Sequence, residues 1–147
     1  MMTMELQAYD SLTEGQIADL VLLYQSEWWT QSRQEAEIRQ MLKNCDVIVG
    51  ISDVAAGTLV GFARVLTDYV YKALIFDVIV APACRSHGVG RLLMDAVVNH
   101  PSLRCVKHLE LHCLPELKPF YEQWGFTTDV ANLHLMRLDS GCGARES

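Results

Sequence analysis

The sequence predicts an α/β fold: a single mixed, mostly antiparallel sheet flanked by helices, in the order β-α-α-β-β-β-α-β-α-β. Three observations predict it. The apolar run Ala73 to Val80 reads as a buried strand and passes through a short Gly-bearing loop into apolar Val89, Leu92, Leu93, Ala96 and Val97, the i, i+3, i+4, i+7, i+8 spacing of a helix. Upstream, the β-rich runs 46–51 and 59–66 are separated by Asp53-Val54-Ala55-Ala56-Gly57, a hairpin signal. Before those, two helical stripes follow capping residues. At 147 residues the chain is long enough for one domain, expected over 1–139, with a small, polar, disordered tail at 140–147.

Taken in order, Thr3 to Tyr9 alternates polar and apolar residues and predicts a first strand. Ser11-Leu12-Thr13-Glu14 has capping-box spacing, and Ile17, Leu20, Val21 and Tyr24 form the stripe behind it. Ser32-Arg33-Gln34-Glu35 repeats the signal before Ile38, Met41 and Leu42, so a second helix ends near Asn44. After the hairpin and the strand Ala73 to Val80 comes the helix that stops near His100-Pro101. His108 to Cys113 predicts another strand, and Pro115 to Trp124 a short helix stopped by Gly125. Leu133 to Leu138 predicts a last strand.

Composition excludes several classes. The net charge of −6 and pI near 5.2 argue against nucleic acid as the partner, which needs a basic face. No apolar run reaches membrane-span length, and the N-terminus has no secretory pattern. Five cysteines, with no C-x-x-C pair, suit reduced thiols in the cytoplasm and neither a disulfide frame nor a metal site. Cys84, beside Arg85 near a helix start, has either a favoured thiolate or the role of a small loop residue.

The stretch from Val80 to Arg91 carries the chemistry. A helix N-terminus offers unpaired N–H groups and a positive dipole end, so it suits anions. Gly88 and Gly90 leave the backbone bare there, and Arg85 and Arg91 add positive charge. No Gly-Lys pair exists for a P-loop, and Gly88-x-Gly90 continues to Leu93, which breaks the Rossmann fingerprint. What fits is Arg85-x-x-Gly88-x-Gly90 after Val80-x-Pro82, which resembles the acetyl-coenzyme A pyrophosphate loop of the GCN5-related N-acetyltransferases, the GNAT family. Pro119-Phe120-Tyr121-Glu122-Gln123-Trp124-Gly125-Phe126 is similar to the family's second signature, F-Y-x-x-x-G-F. The element order matches over nearly the whole chain.

The resemblance implies an enzyme that moves an acetyl group from acetyl-coenzyme A to the primary amine of a small molecule by direct attack, with no metal and with a homodimer allowed. It implies that Val78, Ile79 and Val80 bond the pantetheine arm and that Arg85, Ser86, His87, Gly88, Val89, Gly90 and Arg91 hold the pyrophosphate. Tyr121 takes the place of the acid that protonates the leaving thiolate; the alternative is a packed Tyr with its hydroxyl satisfied by backbone. Leu114 departs from the Asn often found seven residues before that Tyr.

Asp77 interrupts an apolar strand, where a charge is costly unless paired. It reads as a catalytic group facing the amine or as a structural ion pair with Lys72 or Arg64, and His112 is the other candidate base. Trp28 or Trp29, with Tyr69 or Tyr71, reads as an aromatic acceptor pocket, the alternative being one Trp in the core. Glu27, Asp68 and Asp77 on the acceptor side favour an amine. From other classes, a silent acyl-coenzyme A-binding domain or an interaction module built on the Trp pair fits the same residues.

Overall fold

The computed structural model describes residues Met4 to Ser140 and divides after His112 into two compact units. The first holds β1 (Leu6–Tyr9), α1 (Glu14–Gln25), α2 (Glu35–Lys43), β2 (Val47–Asp53), β3 (Thr58–Thr67), β4 (Lys72–Val80), α3 (Val89–Val98) and β5 (His108–Leu111). The sheet order is β1-β2-β3-β4-β5, antiparallel throughout except for the parallel pairing of β4 with β5. The second unit holds a single turn, Pro115–Leu117, running into α4 (Lys118–Glu122).

Both early helices start two residues later than their first capping signals. Thr13 caps α1: its hydroxyl accepts from the Gln16 N–H at 3.2 Å, and the Gln16 side chain accepts from the Thr13 N–H at 2.9 Å. Leu12 decides this, because it packs against the core and so must precede the cap as an apolar N′ residue. Gln34 precedes α2, with its N–H donating to Glu37 Oε1 at 3.1 Å. Arg33, inside the expected cap, is used elsewhere.

Leu20, Leu23 and Tyr24 of α1 and Ile38 of α2 bury against Leu59, Phe62 and Ile79 of the sheet. The Tyr24 and Phe62 rings meet edge to face at 6.1 Å. Adjacent Gly61 points to the other face, as alternation along a strand requires, and lies under α3. A Cβ on Gly61 would stand 2.9 Å from Val89 Cγ1, so glycine lets the first turn of α3 rest directly on β3. Val89, Leu93, Met94 and Val97 bury that helix's apolar stripe.

The expected last strand does not form. Residues 133–138 have no regular structure, and Leu133, Leu135, Met136 and Leu138 are exposed. The alternation breaks where Leu135 and Met136 adjoin, and a strand without a ladder gains nothing to offset its ordering entropy. Residues 141–147, most of the expected tail, lie outside the described residues.

Gly61→Val should push Val89 and the start of α3 off the sheet. We expect a loss of about 1–3 kcal/mol, read as a lower urea midpoint with unchanged slope. An unchanged midpoint would show that α3 does not depend on this close approach.

Candidate active site

Beyond β4 the Ala81 N–H donates to the Val60 carbonyl at 2.8 Å, and Pro82–Cys84 makes one tight turn. Ser86 at φ +69° and Gly88 at φ +82° then turn the chain sharply into α3. The first helical bond runs from the Leu92 N–H to the Gly88 carbonyl at 3.0 Å, so the first-turn N–H groups, beginning with Val89 and Gly90, have no helical carbonyl behind them. Ser86, His87, Gly88 and Arg91 are exposed around this end, while Val89 is buried and anchors it. His87 Nδ1 lies 2.9 Å from the Arg85 carbonyl. Arg85 pairs with Glu27 of the α1–α2 segment. Burial pushes the Cys84 thiol up, with Asp53 adding to it, so the neighbouring arginine does not favour a thiolate.

The same strand has an open edge. β4 pairs with β5 only from Lys72↔His108 to Ile75↔Leu111, and β4 runs on to Val80. Among the described residues no strand covers that side of 76–80. Because the Ala81 N–H points at β3, alternation turns the Val80 and Val78 N–H groups to the open edge and the Ile79 N–H back to β3. Of the three residues expected to bond a pantetheine arm, two therefore present their donors.

Asp77 sits at a bulge in β4. Phe76 faces Arg64 and Ile79 faces Phe62, so Asp77 and Val78 together oppose Ala63, and Asp77 has φ +57°. Its side chain is 6% exposed and heavily bonded. The Tyr24 hydroxyl donates to Oδ2 at 2.9 Å, Arg64 Nε at 2.7 Å and Arg33 Nη1 at 2.6 Å, while Arg33 Nη2 reaches Oδ1 at 3.2 Å. Arg33 also lies over the Tyr24 ring and Arg64 over the Phe76 ring, each at 4.8 Å. Burial alone would raise the carboxyl, but the hydrogen bonds and charges of Arg33 and Arg64 outweigh it and hold Asp77 below the ordinary carboxylate range. Such a carboxylate is a poor proton acceptor. Of the two expected ion-pair partners Arg64 is present, whereas Lys72 pairs with Glu110. Arg33 and Tyr24 carry no site signal in the sequence: one stands in a capping pattern and the other in an apolar stripe.

In the second unit Tyr121 is buried on α4, with its ring 5.0 Å from Phe120 and 6.3 Å from Phe126, both edge to face. Burial first, and Cys113 second, push its hydroxyl up to about 12, so it carries its proton at neutral pH. The α-helix is shorter than expected, ending at Glu122 with Gln123 as its cap, and Gly125, at φ +95°, lies beyond it with its N–H donating to the Glu122 carbonyl at 3.0 Å. Leu114, in the place of the family's Asn, is exposed and leads into the Pro115 turn.

The aromatic residues divide. Trp28 is 73% and Trp29 41% exposed, so neither is a core residue. Thr30 is buried and its hydroxyl donates to the Tyr24 carbonyl at 2.6 Å, tying the segment after α1 back to the end of that helix. Tyr69 and Tyr71 are also exposed and lie just before β4, whereas Arg33 reaches Asp77 within β4 and Glu27 reaches Arg85 in the loop beyond it. Lys107 lies over Tyr71 at 5.0 Å. Asp68 shapes its own turn, accepting from the Val70, Tyr71 and Lys72 N–H groups at 2.8, 2.7 and 3.2 Å. His112 is exposed just past β5. Among the described residues no cluster could hold a metal ion, and no helix is long and apolar enough to cross a membrane.

A mixed sheet with a bare-backbone loop entering a helix, beside an open edge of the same strand, is the architecture of the acyl-coenzyme A N-acyltransferase fold. The structure of a GNAT-family acetyltransferase from Xanthomonas campestris shares it, with a TM-score of 0.78 at 27% identity, covering 94% of this chain and 95% of that one. Glucosamine-6-phosphate N-acetyltransferase from Arabidopsis thaliana shares the fold at 18% identity and a TM-score of 0.72, covering 92% and 99%. The family model described as acetyltransferase (GNAT) domain matches residues 43–128, and the chain belongs to that family. Among curated relatives, serotonin N-acetyltransferase 2, chloroplastic, from Oryza sativa is 36% identical over 100 residues, 66% of this chain and 50% of that protein. GCN5-related N-acetyltransferase 3, chloroplastic, from Arabidopsis thaliana is 28% identical over 107 residues, 73% and 44%. The chain spans about half the length of these relatives.

Gly88→Val places a β-branched residue at a left-handed backbone position and a side chain over the bare helix end. Coenzyme A affinity should fall at least about 10-fold by calorimetry, with about 1–2 kcal/mol of stability lost to backbone strain. Unchanged affinity would remove the loop from the binding site.

The Asp77 carboxyl is depressed in the folded state, so its contribution to stability is present above the unfolded value of about 3.9 and is lost as pH falls from there through the folded value. Wild-type stability should drop as pH falls below about 4 more steeply than that of Asp77→Asn, measured by urea unfolding. Parallel curves would assign the acid sensitivity to other carboxylates.

Proposed function

We propose that the chain transfers the acetyl group of acetyl-coenzyme A to the primary amine of a small molecule with an apolar or aromatic body. The observation that carries this reading is the pairing, within one unit, of the Arg85-x-x-Gly88-x-Gly90 helix end with the open β4 edge. The residues fit the donor. The helix N-terminus and Arg85 suit a pyrophosphate, Gly88 leaves room for it, and the Val78 and Val80 N–H groups suit the amides and the thioester carbonyl of an extended arm. Acetyl-coenzyme A supplies an activated acyl group whose sulfur is a good leaving group.

An N–H donor aimed at the thioester oxygen stabilises the charge that develops as the amine attacks. The C–N bond forms, the C–S bond breaks, and no acyl-enzyme is required. Tyr121, protonated at neutral pH, is the proposed acid for the departing thiolate. Asp77 is engaged by three side chains, so the ammonium proton passes to water, with exposed His112 as the candidate relay.

The exposed Trp28 and Trp29 support an apolar or aromatic acceptor, since ring faces hold both apolar bodies and cations. The net charge of −6 favours an amine over an anionic acceptor. A curated relative is named for serotonin, an aromatic amine. Glu27 is not a free carboxylate for this purpose, being paired with Arg85.

An acceptor screen with thiol detection tests the reading, using arylalkylamines, polyamines, amino acids and aminoglycosides. Primary amines with apolar bodies should turn over best, and Trp28→Ala or Trp29→Ala should raise their KM. Tyr121→Phe should lower turnover about 10²–10⁴-fold while donor affinity holds. A preference for anionic acceptors, or near-normal turnover in Tyr121→Phe, would overturn the corresponding part.

A further inference from the structure

The geometry points to Tyr24, Arg33 and Arg64 as positioning residues that act through Asp77, holding the β4 bulge that turns the Val78 and Val80 N–H groups onto the open edge of the strand. The inference rests on the reading that this edge receives the acetyl donor.

The bulge decides which donors face outward. With it, Gly61 faces Val80 and the Ala81 N–H reaches the Val60 carbonyl. Continuing the Phe76↔Arg64 register without an extra residue would instead set Val80 opposite Val60. Every N–H beyond the bulge would then reverse: Val80 and Val78 would point into β3 and Ile79 to the open edge. The Ile79 side chain, now in the core with Phe62 and Leu20, would leave it. A single residue thus sets both the packing of the strand's end and its outward donors.

That residue carries a conformational cost. A left-handed aspartate in a strand is disfavoured relative to the β region and persists only where its surroundings over-determine it. Here they do. Four hydrogen bonds converge on the carboxylate from α1, from the segment before α2 and from β3, and none of the donors can slide along β4 with a shifted register. Arg33 and Arg64 are themselves steadied over the Tyr24 and Phe76 rings. Two arginines on one buried carboxylate exceed what neutralising its charge requires, whereas a clamp fixed from three directions needs them.

The test separates positioning from proton transfer and from mere stability. Asp77→Ala removes the clamp and disfavours the left-handed backbone, Asp77→Gly removes the clamp but favours that backbone, and Asp77→Asn keeps an acceptor and tolerates it. Arg64→Gln and Arg33→Gln remove donors that cannot accept a proton, and Arg33, being partly exposed, keeps the test available if the others fail to fold. In Asp77→Ala and Arg64→Gln, kcat should fall on the order of 10²-fold and KM for acetyl-coenzyme A should rise, because the same N–H groups bond the arm and the thioester oxygen. Asp77→Asn and Asp77→Gly should recover much of that loss, and the Asp77→Ala/Arg64→Gln double variant should lose little more than either alone. Independently of any donor or turnover, amide NMR should show the Val78, Ile79 and Val80 signals moving and Ile79 exchanging faster in the clamp variants, with β1 unmoved.

Unmoved Val78 to Val80 signals in Asp77→Ala and Arg64→Gln would overturn the inference. So would turnover abolished in Asp77→Asn but intact in Arg64→Gln, which would make Asp77 the proton acceptor. A wild type with no acceptor turnover would sink the functional reading alone, and the amide signals would still decide the clamp.

Discussion

One buried carboxylate organises the first unit. Asp77 stands in the middle of an apolar strand and gathers Tyr24, Arg33 and Arg64 around it. An isolated charge there would be prohibitive, so the chain must bring cations to it, and these are Arg33 from the segment before α2 and Arg64 from β3, joined by the Tyr24 hydroxyl of α1. The ion cluster therefore ties α1, the approach to α2 and β3 to one point on β4. Apolar packing of Leu20, Tyr24, Ile38 and Phe62 drives the same elements together without direction. The charge cluster adds the direction, because guanidinium groups meet a carboxylate only in a narrow set of geometries.

From that point the strand leads to both parts of the site. On one side β4 loses its partner after Ile75 and exposes donors, and at its end the chain turns through Ser86 and Gly88 into α3. Gly61 lets α3 lie on the sheet closely enough for Val89 to be buried, so the helix end is held at a set height over the strand. The helix dipole and its first-turn N–H groups are useful to an anion only if they are fixed in this way, since a mobile cradle would have to be ordered on binding.

The α1–α2 segment links to the same region by a second charge contact. Glu27 pairs with Arg85, so the loop before α3 and the segment carrying Trp28 and Trp29 are connected through an ion pair between an exposed arginine and a half-buried glutamate. Such a pair contributes modestly to stability because water competes for the exposed arginine. Its significance is geometric: the exposed Trp28 and Trp29 lie on the segment that also touches the loop before α3.

The element order up to α4, the helix stripes, the hairpin and the glycine-bearing loop were legible in the sequence because each follows from local periodicity and turn chemistry, and the motifs around Gly88 and Tyr121 carried the family resemblance. The capping residues at Thr13 and Gln34 were missed by two positions, since Leu12 is drawn into a core that the local pattern does not reveal. The strand expected at 133–138 was missed because alternation is only half of a strand and the ladder must come from elsewhere. Asp77 was visible as an anomaly, but its partners Arg33 and Tyr24 were not. They lie 44 and 53 residues away from it in sequence, and only the packing of α1 and the approach to α2 against β4 brings them within hydrogen-bond reach. Local sequence determined most of the strands and helices and the glycine-bearing turn between β4 and α3. Tertiary structure decided the bulge, the charges around it and the donors that face outward, because those depend on register and on contacts between elements that no short stretch of sequence encodes.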